Sequence, residues 1–112
     1  MEKRKFYIYQ EDLIRYVIKE DYTIISRLVQ DLNNKYCEEG MKRLRTQSIT
    51  DYLVVKGYLV VGESGKKIPT KKGELLGIKQ EYIIDEKGEK HKVNLYNRRA
   101  QEYILDNLYK II

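Results

Sequence analysis

Cysteine, histidine, proline and tryptophan are scarce in this chain of 112 residues, which has one cysteine, one histidine, one proline and no tryptophan. Because Cys37 is alone, neither an internal disulfide nor a cysteine-based metal site can form. Because His91 is alone, the common pairings of histidine with a catalytic nucleophile or a second metal ligand are missing. There is also no glycine-rich phosphate loop. We therefore predict no enzyme activity, no metal site and no cofactor.

Long apolar runs are missing as well. No stretch approaches the roughly 18 apolar residues of a membrane-spanning helix, and the beginning of the chain, MEKRKFYIYQEDL, has no signal-peptide core. We expect a cytoplasmic protein without a membrane partner. The length and the hydrophobic content of 42% fit a single domain over residues 1–112 with one modest core.

Tyrosine and basic residues are abundant instead. Eleven tyrosines accompany a single phenylalanine, and a tyrosine can bury its ring while its hydroxyl stays in water. Residues 42–72 contain eight Lys and Arg against two acidic residues, whereas residues 1–41 and 73–112 are nearly balanced. The net charge of +5 is therefore concentrated in one third of the chain, which is typical of a nucleic-acid-binding surface.

Two scaffold helices are predicted before this basic third, behind an N-terminal arm or strand at residues 1–9. The first covers residues 10–20, where apolar residues at helical spacing form one face: Leu13, Ile14, Val17 and Ile18. The second follows a cap at Asp21 or Thr23 and ends at Gly40, since glycine accepts the left-handed conformation after a helix.

The basic third itself predicts a third helix with an exposed polar side. Thr46 or Ser48 caps this helix, Gly57 ends it, and Ile49 and Leu53 face inward with Tyr52. Gln47 and Thr50 remain on the outward side near the beginning, where the polar residues of a recognition helix reach base edges. Arg43 and Arg45, just before the helix, suit contacts with phosphate or guanine. An ordinary surface helix with a solvated polar face is the alternative.

A hairpin and a short helix follow the third helix. The turn over residues 62–67 places Lys66 and Lys67 at its tip or just past it, where lysines contact the DNA backbone or keep a hairpin soluble. Thr70 then caps a short helix that carries Lys71 and Lys72 in its first turn. Helix N-termini repel cations and hold phosphates, so either an anion binds there or the two lysines are simply solvated.

The last third predicts a second hairpin over residues 79–96 with a structural role, and His91 is expected to be exposed on one of its strands. A long helix over residues 97–112 carries a broad apolar stripe. Either the stripe packs on its own chain or it pairs with a second copy, which would give a homodimer.

Residues 10–78 resemble winged helix-turn-helix transcription factors in these motifs: Ser48-Ile49, Tyr52-Leu53, Lys56-Gly57-Tyr58-Leu59, Pro69-Thr70-Lys71-Lys72-Gly73 and Leu76. The resemblance implies an α+β fold with a three-helix core and a β-hairpin wing, here followed by the additional hairpin and the long C-terminal helix. It implies sequence-preferring binding of double-stranded DNA by a transcriptional regulator or a plasmid or phage accessory factor. It assigns contacts to Arg45, Gln47, Ser48 and Thr50 in the helix and to Lys66 and Lys67 in the wing.

Together with the charge pattern, these inferences give one set of candidate DNA-binding residues: Arg43, Arg45, Gln47, Ser48, Thr50, Lys66, Lys67, Thr70, Lys71 and Lys72. Two other functions stay open. One is a winged-helix module that docks another protein, and the other is an RNA or single-strand binder in which tyrosines stack on bases.

Overall fold

Six helices and two antiparallel hairpins make up residues 2–112, the part of the chain that the computed structural model describes. The helices are α1 (Gln10–Arg15), α2 (Ile25–Tyr36), α3 (Thr46–Val55), α4 (Lys71–Leu76), α5 (Arg98–Asp106) and α6 (Leu108–Ile111). The strands are β1 (Leu59–Val61), β2 (Lys67–Pro69), β3 (Ile78–Ile84) and β4 (Lys90–Tyr96). β1 and β2 form the first hairpin, and β3 and β4 form the second. The predicted α+β class is confirmed.

The core draws its side chains from α2, α3, α5 and α6. Several of them have no exposed surface: Leu32, Ile49, Leu53, Ile104 and Leu108. On α3, Ile49 and Leu53 lie one turn apart, so they share the inward face that the sequence predicts. None of the helices in residues 2–112 combines the length and the apolar composition that crossing a bilayer requires.

The N-terminal segment is docked in an extended conformation. Phe6 and Ile8 are buried in the core. The Arg4 N–H donates to the Gly40 carbonyl at 3.0 Å, and the Lys42 N–H donates to the Arg4 carbonyl at 2.8 Å. Of the two predicted alternatives, an arm or a strand, the segment is closer to the strand.

α1 has six residues instead of the predicted eleven, and the apolar face predicted for it is correct only at Leu13 and Ile18, which pack against the core. Ile14 and Val17 are 78% and 79% exposed. Tyr16 is buried instead, and its hydroxyl donates to Asp31 of α2 at 2.6 Å. This tertiary contact takes the backbone out of the helical path at residue 16. Burial, followed by the hydrogen bond to Asp31, raises the pKa of Tyr16.

The predicted cap of α2 is also wrong, because neither Asp21 nor Thr23 occupies the cap position. Thr23 exchanges two backbone hydrogen bonds with Tyr96 of β4, at 3.0 and 2.8 Å. This pairing holds the chain extended, and α2 begins two residues later without a side-chain cap. The helix ends at Tyr36, ahead of the predicted stop at Gly40.

Asn107 divides the predicted C-terminal helix into α5 and α6. Its side-chain amide donates to the Tyr103 carbonyl at 2.8 Å, and its side-chain oxygen accepts from the Tyr52 hydroxyl of α3 at 3.2 Å. The centre of the predicted apolar stripe has no exposed surface: Ala100, Ile104 and Leu108. The chain therefore covers most of this stripe itself.

The first hairpin and α4 meet at a glycine. Thr70 caps α4 as predicted, by accepting a hydrogen bond from the Gly73 N–H at 3.1 Å. A Cβ at Gly73 would collide with the Tyr58 carbonyl oxygen at the beginning of the hairpin. Only glycine allows this approach, which fixes the hairpin against α4.

Candidate nucleic-acid interface

A buried asparagine fixes the segment that leads into α3. Asn33 of α2 accepts a hydrogen bond from the Leu44 N–H at 2.7 Å and donates to the Leu44 carbonyl at 3.0 Å. Leu44 is buried, whereas Arg43 and Arg45 on either side of it are exposed. The backbone is extended here, so neighbouring side chains point in opposite directions. Two of the predicted residues thus stand exposed just before α3.

Polar side chains line the outward side of the first turns of α3. Gln47 is exposed, while Ser48 and Thr50 are half-buried. The Arg45 guanidinium donates to the Gln47 side-chain oxygen at 3.3 Å. Arg45 occupies the cap position without a side-chain cap bond, so the predicted capping by Thr46 or Ser48 is wrong. The first backbone N–H groups of α3 consequently have no side-chain partner.

Lys67 lies just past the turn of the first hairpin, one of the two places predicted for it, but its side chain bonds α3. The turn closes between Gly62 and Lys66, joined by a backbone hydrogen bond of 2.7 Å, and Lys67 is the first residue of β2. Its ammonium donates to Asp51 at 2.6 Å and to the Thr50 hydroxyl at 2.8 Å. Lys67 and Thr50 are therefore engaged with each other, and Lys66 is the lysine exposed at the turn.

Thr70 and Lys72 are engaged in contacts within the fold as well. Besides capping α4, the Thr70 hydroxyl donates to the Gly57 carbonyl at 2.6 Å. The Lys72 ammonium donates to the Lys56 carbonyl at 2.7 Å and lies 4.4 Å from the centre of the Tyr58 ring. Lys72 thus neutralises the free carbonyls at the C-terminal end of α3, where a helix favours cations. This contact explains its position without a bound anion.

The predicted set therefore divides into two parts. Four residues bond other elements of the fold: Thr50, Lys67, Thr70 and Lys72. Five others are exposed, and within residues 2–112 the one hydrogen bond of their side chains joins Arg45 to Gln47: Arg43, Arg45, Gln47, Lys66 and Lys71. Within residues 2–112, none of the cations in this second group forms an ion pair. We call these five residues, together with half-buried Ser48, the helix–hairpin surface.

Sequence reasoning missed a basic face on the second hairpin. The two strands form the predicted hairpin, and its register places Gln80 opposite Asn94 and Tyr82 opposite Lys92. The Asn94 side chain donates to the Lys67 carbonyl at 2.9 Å, which fastens this face to the first hairpin. The alternation of Lys90, Lys92 and Asn94 along β4 was the sequence signal for it.

Asp85, Glu89 and His91 lie together at the turn of the second hairpin, and His91 is exposed as predicted. One Asp85 oxygen accepts from the backbone N–H groups of Lys87 and Glu89, both at 2.9 Å, and the other lies 2.7 Å from the His91 ring. The hydrogen bond to His91 and then that from Glu89 lower the pKa of Asp85. These bonds close the turn, so the geometry is explained by hairpin structure without a metal ion.

No protein-family model, curated protein or solved structure matches the chain. Roles for its residues are therefore inferred from their own contacts, exposure and charge.

Proposed function

We propose that the protein binds double-stranded DNA with a moderate sequence preference, as a winged-helix module in which α3 is the recognition helix and the first hairpin is the wing. The order of α2, α3 and an antiparallel hairpin supports this proposal. The observation that carries it is the contact of Lys67 with Thr50 and Asp51. This contact fastens the hairpin to the polar side of α3, so that Lys66 and the exposed residues of the helix belong to one surface.

Two kinds of contact follow from this arrangement. Arg45 and Gln47 stand at the beginning of α3, and these residue types read guanine and adenine edges in the major groove. Arg43, Lys66 and Lys71 form no ion pair in the described part of the chain and suit phosphates, which supply most of the affinity and little specificity. The uncapped N–H groups of α3 are further phosphate donors.

The biological role that this activity supports is non-enzymatic. We propose a cytoplasmic transcriptional regulator or a plasmid or phage accessory factor. In such a protein the basic side chains carry affinity, and Gln47 with Arg45 carries the choice of sequence.

We also propose that the protein forms a homodimer through its N-terminal and C-terminal helices. Most of the α5 stripe is buried in the core, but apolar side chains remain exposed around a groove between α1 and α6, among them Ile14 and Tyr109. Sedimentation at micromolar concentration, with and without DNA, tests this. A dimer that Ile14→Asp dissociates supports the proposal, and a monomer in both conditions overturns it.

Selection of bound duplexes from a random pool tests the proposed DNA binding. Enrichment of a sequence should be followed by measurement of its affinity at increasing salt for wild type and for Arg43→Gln with Lys66→Gln. Losing two phosphate contacts should make the log–log salt slope less negative by about 1.8. Lys19→Gln with Arg99→Gln removes the same charge from exposed residues outside both the helix–hairpin surface and the α1–α6 groove, and serves as the control.

Equal slopes for the two double variants would contradict the proposed surface. Preferential binding of single strands or RNA would instead support the stacking function of the tyrosines. Absence of any nucleic-acid binding would leave protein docking as the better interpretation.

A further inference from the structure

One face of the second hairpin is basic and carries an exposed aromatic ring. Residues two apart on a strand share a face, so the register places Gln80 and Tyr82 of β3 beside Asn94 and Lys92 of β4. Lys90 continues this face toward the turn. Tyr82 is 63% exposed, although its apolar ring suits a core position.

The first hairpin forms the opposite wall of an open groove of about 680 Å³. Its lining includes Ser64 and Lys66 from the first hairpin and Tyr82, Lys90 and Lys92 from the second. Asn94 joins the two walls through its hydrogen bond to the Lys67 carbonyl. The groove volume lies within the range of about 300–1,000 Å³ that is usual for ligand sites.

Charges around the groove are predominantly positive and unpaired. Within residues 2–112, Lys66, Lys90 and Lys92 form no ion pair, and Glu63 is the carboxylate among the lining residues. The second hairpin also carries acidic residues, and two of them, Glu86 and Glu89, are exposed at its turn. Glu81 pairs with Lys79 at 2.8 Å on the opposite face, and Asp85 bonds His91 at the turn. An anion in the groove would relieve the mutual repulsion of these lysines.

The groove is continuous with the helix–hairpin surface. Lys66 belongs to both, and Lys67 touches both sides: its ammonium bonds α3, and its carbonyl accepts from Asn94. A duplex that lies on α3 and the first hairpin therefore has a second cationic strip beside it. This continuity favours the backbone of the same DNA as the occupant over an unrelated acidic ligand.

We propose that the groove between the two hairpins holds the phosphodiester backbone of the bound duplex, with Lys90 and Lys92 on phosphates and the Tyr82 ring against a sugar. The second hairpin then acts as a second wing that extends the DNA footprint. This inference rests on the proposed DNA binding and deepens it. Lys92 lies 5.3 Å from the centre of the Tyr82 ring, so the ring also orients that ammonium.

The test is the salt dependence of duplex binding by Lys90→Gln with Lys92→Gln. We expect weaker binding and a log–log slope less negative by about 1.8, with the sequence preference unchanged. The control, Lys19→Gln with Arg99→Gln, removes two charges from exposed residues that line neither the groove nor the proposed dimer contact. Its slope should equal that of wild type. Thermal unfolding of both double variants should match wild type, because the substituted side chains are at the surface.

Tyr82→Ala gives an independent measurement, since it removes no charge. It should weaken binding and leave the salt slope unchanged. The groove proposal would be overturned if Tyr82→Ala and the Lys90/Lys92 variant both bound duplex DNA with the affinity and the log–log salt slope of wild type. If Arg43→Gln with Lys66→Gln still lost affinity, the proposed DNA binding would survive that result. Failure of wild type to bind any duplex would overturn both proposals.

Discussion

Lys67 of β2 and Asp51 of α3 form an ion pair with a nitrogen–oxygen distance of 2.6 Å. The Lys67 side chain is 23% exposed, and its ammonium also bonds the Thr50 hydroxyl. The pair therefore links the first hairpin to α3. A lysine that the charge pattern assigns to DNA serves inside the fold, and its neighbour Lys66 remains at the exposed turn.

Lys66 and Lys67 should consequently respond differently to substitution. Lys66→Ala should leave stability within about 0.5 kcal/mol of wild type and make the salt slope of DNA binding less negative by about 0.9. Lys67→Ala should lower the free energy of unfolding by about 0.5–1 kcal/mol, the upper part of the range for exposed ion pairs, because the Lys67 side chain is only 23% exposed. Urea unfolding and salt-dependent binding measure the two effects. If Lys67→Ala instead leaves the stability unchanged and makes the salt slope of DNA binding less negative, Lys67 contacts a phosphate.

Asn33→Ala should be among the more damaging polar substitutions. It leaves the buried N–H and carbonyl of Leu44 without partners, each at a cost of about 1–3 kcal/mol, so we expect a loss of roughly 2–4 kcal/mol. The midpoint of urea unfolding should fall with little change in its slope. The control is Asn34→Ala, which changes an exposed residue on the same helix and should have almost no effect. Equal midpoints for the two variants would contradict the assigned role of Asn33.

Gly73→Ala should disturb the contact between α4 and the first hairpin. The added methyl meets the Tyr58 carbonyl oxygen, and overpacking of this kind costs about 1–3 kcal/mol. DNA affinity should fall with stability, because the hairpin that carries Lys66 shifts. Leu75→Ala, an exposed position on the same short helix, provides the comparison. If Gly73→Ala unfolds and binds DNA as wild type does, the hairpin can shift without loss of stability or of DNA affinity.

The turn of the second hairpin should loosen in acid. The hydrogen bonds from His91 and the backbone hold the pKa of Asp85 below its ordinary value of 3.8. A carboxyl group whose pKa is lowered by folding stabilises the native state above its unfolded pKa, and that stabilisation is lost as the pH falls through the folded pKa. NMR titration of the Asp85 carboxyl should show a higher pKa in His91→Gln than in wild type. Identical titrations would mean that His91 does not stabilise the turn.

Short-range signals predicted the hairpins and α4 well. Gly57 ends α3, Thr70 caps α4, and the second hairpin has nearly the predicted bounds. These features are set by residues a few positions apart, so a local stretch of sequence is enough to predict them. The candidate surface was predicted in part. Arg43 and Arg45 are exposed just before α3, as the sequence predicted.

Contacts between distant residues decided the rest. Tyr16 bonds Asp31 and shortens α1, Thr23 pairs with Tyr96 and delays α2, and Asn107 accepts from Tyr52 and breaks the last helix. The residue numbers of the partners in these contacts differ by 15 to 73. A local sequence pattern therefore cannot predict them.

The sequence by itself determined that the chain is an α+β domain whose excess positive charge lies in residues 42–72. Only the tertiary structure decided which of those charges are held by other residues of the fold. Lys67 bonds Asp51 and Lys72 bonds the Lys56 carbonyl, whereas Lys66 forms no ion pair within residues 2–112 and lies beside Lys90 and Lys92 of the second hairpin. A residue's charge is fixed by its type, but its availability depends on partners that only folding brings within hydrogen-bond distance.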